Sequence, residues 1–339
     1  MSERYSRQEL FAPIGVEGQR KLKQKHVLII GAGALGSANA EALVRAGVGK
    51  VTIVDRDYVE WSNLQRQQLY TEKDAEERLP KAIAARLRLV EINSEVEINA
   101  VVTDANVLEL ERLVQNVHIL IDATDNFDTR LIMNDISQKY SIPWIYGACV
   151  GSYGISYTIL PGETPCLHCL LEKVPMGGIT CDTVGIISPA VSMVVAYQVS
   201  EALKILVEDL EHVRRKLVTF DLWTNQHTAI SVAKLKRTDC LSCGDERSYP
   251  FLAFENQLKS AVLCGRDTVQ IRPQEGAKRN LDEVATLLGA TGGKIERNPF
   301  LLSFDTGTHR LVIFQDGRVL IHGTKDISEA KGIYHRYLG

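Results

Sequence analysis

Residues 27–36 read VLIIGAGALG, and a second apolar run, Val51–Val54, ends at Asp55. Gly31, Gly33 and Gly36 fit the G-x-G-x-x-G spacing between an apolar strand and a helix expected over about Leu35–Ala46. Gly31 allows a tight turn, Gly33 lets the backbone approach a phosphate, and Gly36 lets the helix pack on its strand. The helix N-terminus presents its free N–H groups to the anion. Asp55 falls roughly 20 residues on, where a carboxylate can take ribose hydroxyls. Together these features predict a nucleotide-binding β-α-β unit. Taken alone, the unit reads as a site for NAD.

The rest of the chain sets limits on that reading. Its 339 residues suffice for one large domain and a smaller one. The formal net charge is −3 and no long basic run stands out, so no nucleic-acid partner is expected. No apolar run approaches the length of a membrane span. The N-terminus, MSERYSRQEL, lacks the apolar core of a signal peptide. A cytoplasmic location is therefore expected, where the seven cysteines stay reduced.

Outward from the β-α-β unit, strands and helices alternate. A helix is expected over Pro80–Ile92, where Ile83, Leu87 and Val90 recur at helical spacing. A strand over Val96–Val102, a helix over Val107–Val114 and a buried strand over His118–Asp122 follow. Then come a helix over Asn126–Tyr140 and strands at Pro143–Cys149, Tyr153–Leu160 and Lys216–Leu222, with an apolar helix at Pro189–Val207. This order predicts an α/β fold with a doubly wound, mostly parallel, Rossmann-like sheet. From about Ser248 the pattern changes to short strands and two helices, with Asp316-Gly317 marking a hairpin turn. The expected organisation is a nucleotide-binding domain, 1–247, and a small α+β module, 248–339, whose role no motif reveals.

Cys166-Leu-His-Cys169 and Cys240-Leu-Ser-Cys243 are two C-x-x-C pairs. Each is expected to place two thiolates on one tight turn, and two such turns make a tetrahedral four-sulfur site suited to Zn²⁺. Four thiolates leave no open position, so the metal's role is structural, tying the end of the first domain to its middle. His168 need not be a ligand. Thioredoxin-like redox pairs are the rival reading.

The residues after Asp55 argue against NAD. Trp61-Ser62-Asn63-Leu64-Gln65-Arg66-Gln67 offers Asn63 and Arg66 one helical turn apart. Arg66 can fork onto phosphate oxygens. Lys81, following Pro80, is a second cation. Asp122-Ala-Thr-Asp125-Asn126 sets carboxylates at the C-terminal end of a strand, where open α/β sheets bind ligands. Phosphates met by arginine, lysine and aspartate point to a nucleoside triphosphate with Mg²⁺.

With these residues assembled, the chain resembles the ThiF/MoeB/HesA adenylyltransferases, relatives of ubiquitin-activating enzymes. The resemblance spans about residues 4–245: Arg4-Tyr5-Ser6-Arg7-Gln8, the Gly31–Gly36 loop, Asp55, Ser62 to Arg66, Lys81, Asp125-Asn126 and both cysteine pairs in order. It implies ATP-dependent adenylation of the C-terminal glycine of a ubiquitin-like sulfur carrier of the ThiS or MoaD type, as in thiamine or molybdopterin biosynthesis. It implies that Asp55 takes the ATP ribose, that Asn63, Arg66 and Lys81 hold phosphates, and that Asp125, beside Asn126, meets Mg²⁺. It implies a homodimer in which Arg7 reaches the other subunit's ATP. Ala34 stands where many members have glycine, a modest change within the binding loop.

Cys181 lies in MGGITCDT, before the apolar helix. In relatives a cysteine in this segment can accept sulfur or the activated carrier, which would bring in a sulfur-donor protein; the alternative is an unreactive loop cysteine. Cys149 and Cys264 read as a buried thiol and an incidental one. Three other functions stay open: an NAD-dependent oxidoreductase with a structural zinc, a non-catalytic scaffold, and an adenylating enzyme for a different peptide or acid.

Overall fold

The run His26–Ile30 forms the strand β1, buried from Val27 onward. Because both faces of β1 are covered, its apolar run is continuous rather than alternating. The computed structural model describes residues 3–171, 184–253, 260–262, 267–271, 279–289 and 291–338. It divides into two compact units: Met1–Glu76 with Pro80–Phe254, and Glu77–Leu79 with Glu255–Gly339.

In the first unit β1 is joined by β2 (Lys50–Asp55), β3 (Glu97–Val102), β4 (Ile119–Asp122), β5 (Trp144–Val150), β6 (Tyr153–Ile159), β7 (Lys216–Asp221) and β8 (Gln226–Ser231). The spatial order is β3-β2-β1-β4-β5-β6-β7-β8. The strands from β3 to β5 run parallel, in register from Val27↔Val51 on one side of β1 and Val27↔Ile119 on the other. The direction changes at β5–β6, where Val150 pairs Tyr153 across a two-residue turn. So short a link can only return the chain antiparallel. Gly151 takes φ +59° there, a conformation glycine adopts without Cβ strain. Strand order reverses between β1 and β4, opening a crevice at their C-terminal ends.

The helices of this unit are α1 (Ser6–Glu9), α2 (Gly15–Leu22), α3 (Ala34–Arg45), α4 (Glu72–Glu76), α5 (Lys81–Ile92), α6 (Val107–Leu113), α7 (Phe127–Tyr140), α8 (Leu167–Leu171) and α9 (Ser188–Leu206). One sheet face buries Leu28, Ile30, Val54, Trp144 and Tyr157 with Leu110, Leu113, Met133 and Ile136. Another cluster joins Leu35 and Ala38 of α3 to Ala190, Val191, Val194 and Val195 of α9 and to Phe220. Each fully buried aliphatic side chain contributes about 1.5–3 kcal/mol, so these clusters fix where α3 begins and hence where the glycine loop points. Gln198 of α9 adds a buried polar tie: its amide donates to Asp122 O at 2.7 Å and accepts from Asn39 Nδ2 at 2.7 Å.

Two expectations need correction. The helix Lys81–Ile92 forms, but Leu87 and Val90 lie on its outer side, 56% and 45% exposed. Its buried stripe is Lys81, Ala82, Ala84, Ala85 and Leu89. Small alanines allow the close approach to the sheet that bulkier side chains would prevent. The strand β8 was not expected, because all six of its residues are exposed and carry no apolar alternation. It exists through the backbone ladder to β7, running from Lys216↔Ser231 to Asp221↔Gln226.

In the second unit the strands β9 (Ser260–Val262), β10 (Thr268–Ile271), β11 (Lys294–Arg297), β12 (Leu301–Asp305), β13 (Arg310–Phe314) and β14 (Val319–His322) form an antiparallel sheet ordered β11-β12-β13-β14-β10-β9. The helices α10 (Leu281–Gly289) and α11 (Ile327–Leu338) cover Val269, Leu302, Phe304, Leu311, Ile313 and Ile321. Glu77–Leu79 belong here: Asn298 Nδ2 donates to Glu77 O at 2.9 Å and Arg78 O at 3.0 Å, and Arg78 pairs Glu296 at 2.7 Å. Among the described residues no helix is long and apolar enough to cross a membrane.

Candidate active site and four-cysteine cluster

The three loop glycines are held for different reasons. Gly31 takes φ +98°, and a Cβ there would lie 2.3 Å from Ala123 O. A Cβ on Gly36 would lie 1.9 Å from Gly31 O. Both are excluded by backbone, which does not yield. A Cβ on Gly33 would meet nothing nearer than Gln67 Nε2, at 3.9 Å. The space beside Gly33, at the N-cap of α3, is thus open for a group brought from outside. Gly36→Ala is expected to lose about 3 kcal/mol of stability, from overpacking against a carbonyl. Gly33→Ala should melt as the wild type does but bind nucleotide more weakly. Thermal melts with and without an ATP analogue separate the two.

Asp55, at the end of β2, is held by two backbone donors. Ala32 N reaches its Oδ2 and Asp57 N its Oδ1, both at 2.6 Å. Burial pushes its pKa up, while the Lys81 charge and those two N–H groups oppose the shift. Lys81 is the first residue of α5 and only 4% exposed. Its Nζ stands 3.6 Å from Asp57 Oδ2. A buried cation at a helix N-terminus opposes the helix dipole, so it persists only beside compensating carboxylates.

Between these elements the chain winds through turns. Asn63 and Gln67 are buried while Arg66 is partly exposed. Asn63 Oδ1 accepts from Glu60 N at 3.0 Å, which shapes the turn at Trp61–Asn63. Arg66 Nη1 donates to Ser62 O at 2.8 Å. Tyr70 O–H donates to Ala32 O at 2.5 Å and Lys81 O at 3.2 Å, tying the glycine loop to the start of α5.

The end of β4 separates two carboxylates the sequence had grouped. Asp122 is fully buried and saturated: Thr124 N and Oγ1 reach its Oδ1 at 2.9 and 2.8 Å, and Arg130 Nε reaches its Oδ2 at 2.9 Å. Arg130 also donates to Thr124 O at 2.6 Å, and its pKa is raised by the Asp122 charge against the cost of burial. Asp122 and Arg130 therefore set the turn, and they leave Asp125 exposed at its tip. Among the described residues Asp125 accepts only from Asn126 Nδ2, at 3.2 Å. Asn126 Oδ1 caps α7 by accepting from Thr129 N at 2.9 Å.

Ala34 is the first residue of α3. Arg7, on α1, is exposed and pairs with no described residue. Cys181 and Cys264 lie outside the described residues, and Cys149 is half-buried on β5. Gln67, Tyr70 and Arg130 were not singled out from sequence. The first two follow Asn63 at i+4 and i+7 on one buried face, a spacing readable only once the segment is known to be helical turns.

The four cysteines converge. Their sulfurs all lie within 4.8 Å of one another and all four residues are buried. Cys166–Cys169, Cys166–Cys240 and Cys169–Cys243 are 3.9, 3.7 and 3.5 Å apart. Tetrahedral Zn–S bonds of about 2.3 Å set sulfurs about 3.8 Å apart, so the donor set fits zinc and is too open for disulfides. One expectation is corrected: the first pair sits on the helix α8, with Cys169 inside it and Cys166 just before it, rather than on a bare turn. His168 borders the cluster: its Nδ1 meets Ser242 Oγ at 3.1 Å and lies 3.9 Å from Cys240 Sγ.

The chain is similar to known proteins over most of its length. The ThiF family profile matches residues 5–242. The chain is 55% identical over 340 residues to the sulfur carrier protein ThiS adenylyltransferase of Bacillus subtilis (strain 168), covering 100% of each. It is 34% identical to the molybdopterin-synthase adenylyltransferase of Escherichia coli (strain K12), over 71% of this chain and 96% of that one. Among solved structures, E. coli MccB with MccA-N7isoASN superposes with a TM-score of 0.63 at 21% identity, over 72% of this chain and 74% of that one, a likeness of fold. The chain belongs to the ThiF family.

Proposed function

We propose that this chain transfers AMP from ATP to the C-terminal glycine carboxylate of a ubiquitin-like sulfur carrier, releasing pyrophosphate and preparing the carrier for thiocarboxylate formation. The structural observation that carries the reading is the buried Lys81 facing Asp57, beside Asp55 and the open space at Gly33. A dehydrogenase needs the ribose carboxylate but no buried cation. Identity along the whole chain with a ThiS adenylyltransferase favours a ThiS-type carrier over a MoaD type.

A carboxylate is a poor acyl donor because oxide is a bad leaving group, and adenylation supplies a better one. The carrier's carboxylate is already ionised at neutral pH, so its attack on the α-phosphorus needs no general base. The protein's contribution is positioning and charge neutralisation. In this reading Asp55 accepts from the ribose, and the N-terminus of α3 at Gly33 and Ala34 receives a phosphate. Arg66 and Lys81 offset the charge that gathers on the departing pyrophosphate. Asn63, whose Oδ1 is taken by Glu60 N, has its Nδ2 to offer a phosphate, and Asn126 shapes the turn that presents Asp125. Mg²⁺, held at Asp125, would neutralise phosphate oxygens, and zinc on Cys166, Cys169, Cys240 and Cys243 would be structural. Arg7 is assigned to the ATP of a second copy. Residues 1–247 form the adenylation domain in this scheme, and Cys181 is the residue to test as a sulfur or acyl acceptor.

The test is ATP–pyrophosphate exchange with purified ThiS-type and MoaD-type carriers. Exchange is expected with the ThiS type, and Arg66→Ala should lower it about 10²-fold, the scale of one lost transition-state donor. Exchange with neither carrier, or exchange undiminished in Arg66→Ala, would overturn the reading.

A further inference from the structure

Three side chains of the segment between β2 and α5 turn inward on one face: Asn63, Gln67 and Tyr70. The first and last are used by the protein itself. Asn63 Oδ1 takes the Glu60 N–H, and the Tyr70 hydroxyl serves the carbonyls of Ala32 and Lys81. Gln67 is different. It is 3% exposed, its Oε1 is buried without a hydrogen-bond partner, and no described residue bonds its Nε2. Leaving a buried amide unbonded costs about 1–3 kcal/mol. The side chain lies along the open space at Gly33, the one loop glycine whose missing Cβ faces no backbone.

We propose that Gln67 is a nucleotide-binding residue, its side-chain amide donating to a phosphate oxygen lodged at Gly33. The inference rests on the ATP reading above. It adds a neutral donor to a site otherwise built from cations and backbone N–H groups. The amide nitrogen stands 3.9 Å from where a Gly33 Cβ would lie, so a phosphate at the loop would meet residue 67 as well. Tyr70 keeps that gap fixed by bonding the loop's own carbonyl at Ala32. Charge alone cannot orient a phosphate, because cations attract it from any direction. A rigid, buried amide imposes a direction, and in-line attack at phosphorus requires one.

The experiment uses the full chain and AMPCPP with Mg²⁺, measured by calorimetry. Gln67→Met keeps the shape and removes the amide. Its affinity is expected to fall at least tenfold, while its melting temperature without nucleotide stays equal or rises, because the orphaned acceptor is gone. Gln67→Glu sets a carboxylate against phosphate and should bind more weakly still. Wild-type affinity in Gln67→Met would overturn the proposal. If wild-type protein does not bind AMPCPP, or Arg66→Ala binds it unchanged, the ATP reading itself has failed. Should Gln67→Met melt lower than wild type, glutamine-selective ¹⁵N labelling of the wild type replaces it. AMPCPP must then move the side-chain amide pair that disappears in Gln67→Glu, and an unmoved pair overturns the proposal.

Discussion

Lys81→Met is expected to lower carrier-dependent ATP–pyrophosphate exchange by about 10³-fold, more than Arg66→Ala, because two effects add. The first is loss of a phosphate-facing cation. The second concerns Asp55 and Asp57. Lys81 Nζ is 3.6 Å from Asp57 Oδ2, and its charge is the largest influence opposing the upward pKa shift of the buried Asp55. Without it, that pKa rises further. A protonated Asp55 offers one acceptor oxygen fewer to the ribose hydroxyls. The sign follows directly: residual nucleotide affinity in Lys81→Met should increase as pH is raised, as Asp55 regains its charge. The wild type should show the same dependence displaced to lower pH, because Lys81 opposes the shift there. Calorimetry with AMPCPP and Mg²⁺ at several pH values checks this. A pH-independent loss would show that Lys81 meets only the phosphates, and an unchanged exchange rate would remove it from the site.

Removing the metal, or one of its ligands, should have the largest effect on stability. The four sulfurs join the start of α8 to residues 240–243, closing a loop of roughly 70 residues. A cross-link across a loop of that length stabilises by about 4 kcal/mol in the chain-entropy account. For a unit of this size that corresponds to about 10 °C in melting temperature. Wild-type protein should carry one zinc per chain by mass spectrometry of the metal. Cys240→Ser should carry little and melt about 10 °C lower, and a strong chelator should reproduce the shift. Wild-type protein without metal, or a melt indifferent to chelation, would sink the assignment.

Much of the first unit was readable because its core is continuous. β1 and β4 are unbroken apolar runs, and a run buried on both faces needs no partner to be recognised. The helices α3, α5 and α7 fell within a residue or two of their expected limits, since glycine, proline and asparagine mark their starts. β8 escaped because its stability lies in backbone hydrogen bonds, which leave no trace in side-chain pattern. The stripe Ile83, Leu87, Val90 gave the right helix for the wrong reason: α5 meets the sheet through alanines, and periodicity cannot say which apolar face a sheet will accept.

At the site, the kinds of residue were legible and their division of labour was not. Asp122 and Asp125 looked like one acidic pair. Arg130, eight residues beyond Asp122, neutralises the first and leaves only the second to solvent. Asn63 and Gln67 are neighbours in one polar stretch, yet one is consumed by a turn and the other is left without a partner.

By itself the sequence determined the glycine loop, the acidic strand end, the cations that exclude a simple dinucleotide site, and the pairing of cysteines into a metal-binding set. These depend on residue type and local spacing, which physical chemistry constrains directly. Only the tertiary structure decided which glycine faces open space, which carboxylate is free, and which amide lacks a partner. Those are properties of what lies across the gap once the chain has folded: Ala123 crowds Gly31, Arg130 neutralises Asp122, and Tyr70 bonds the carbonyl of Ala32.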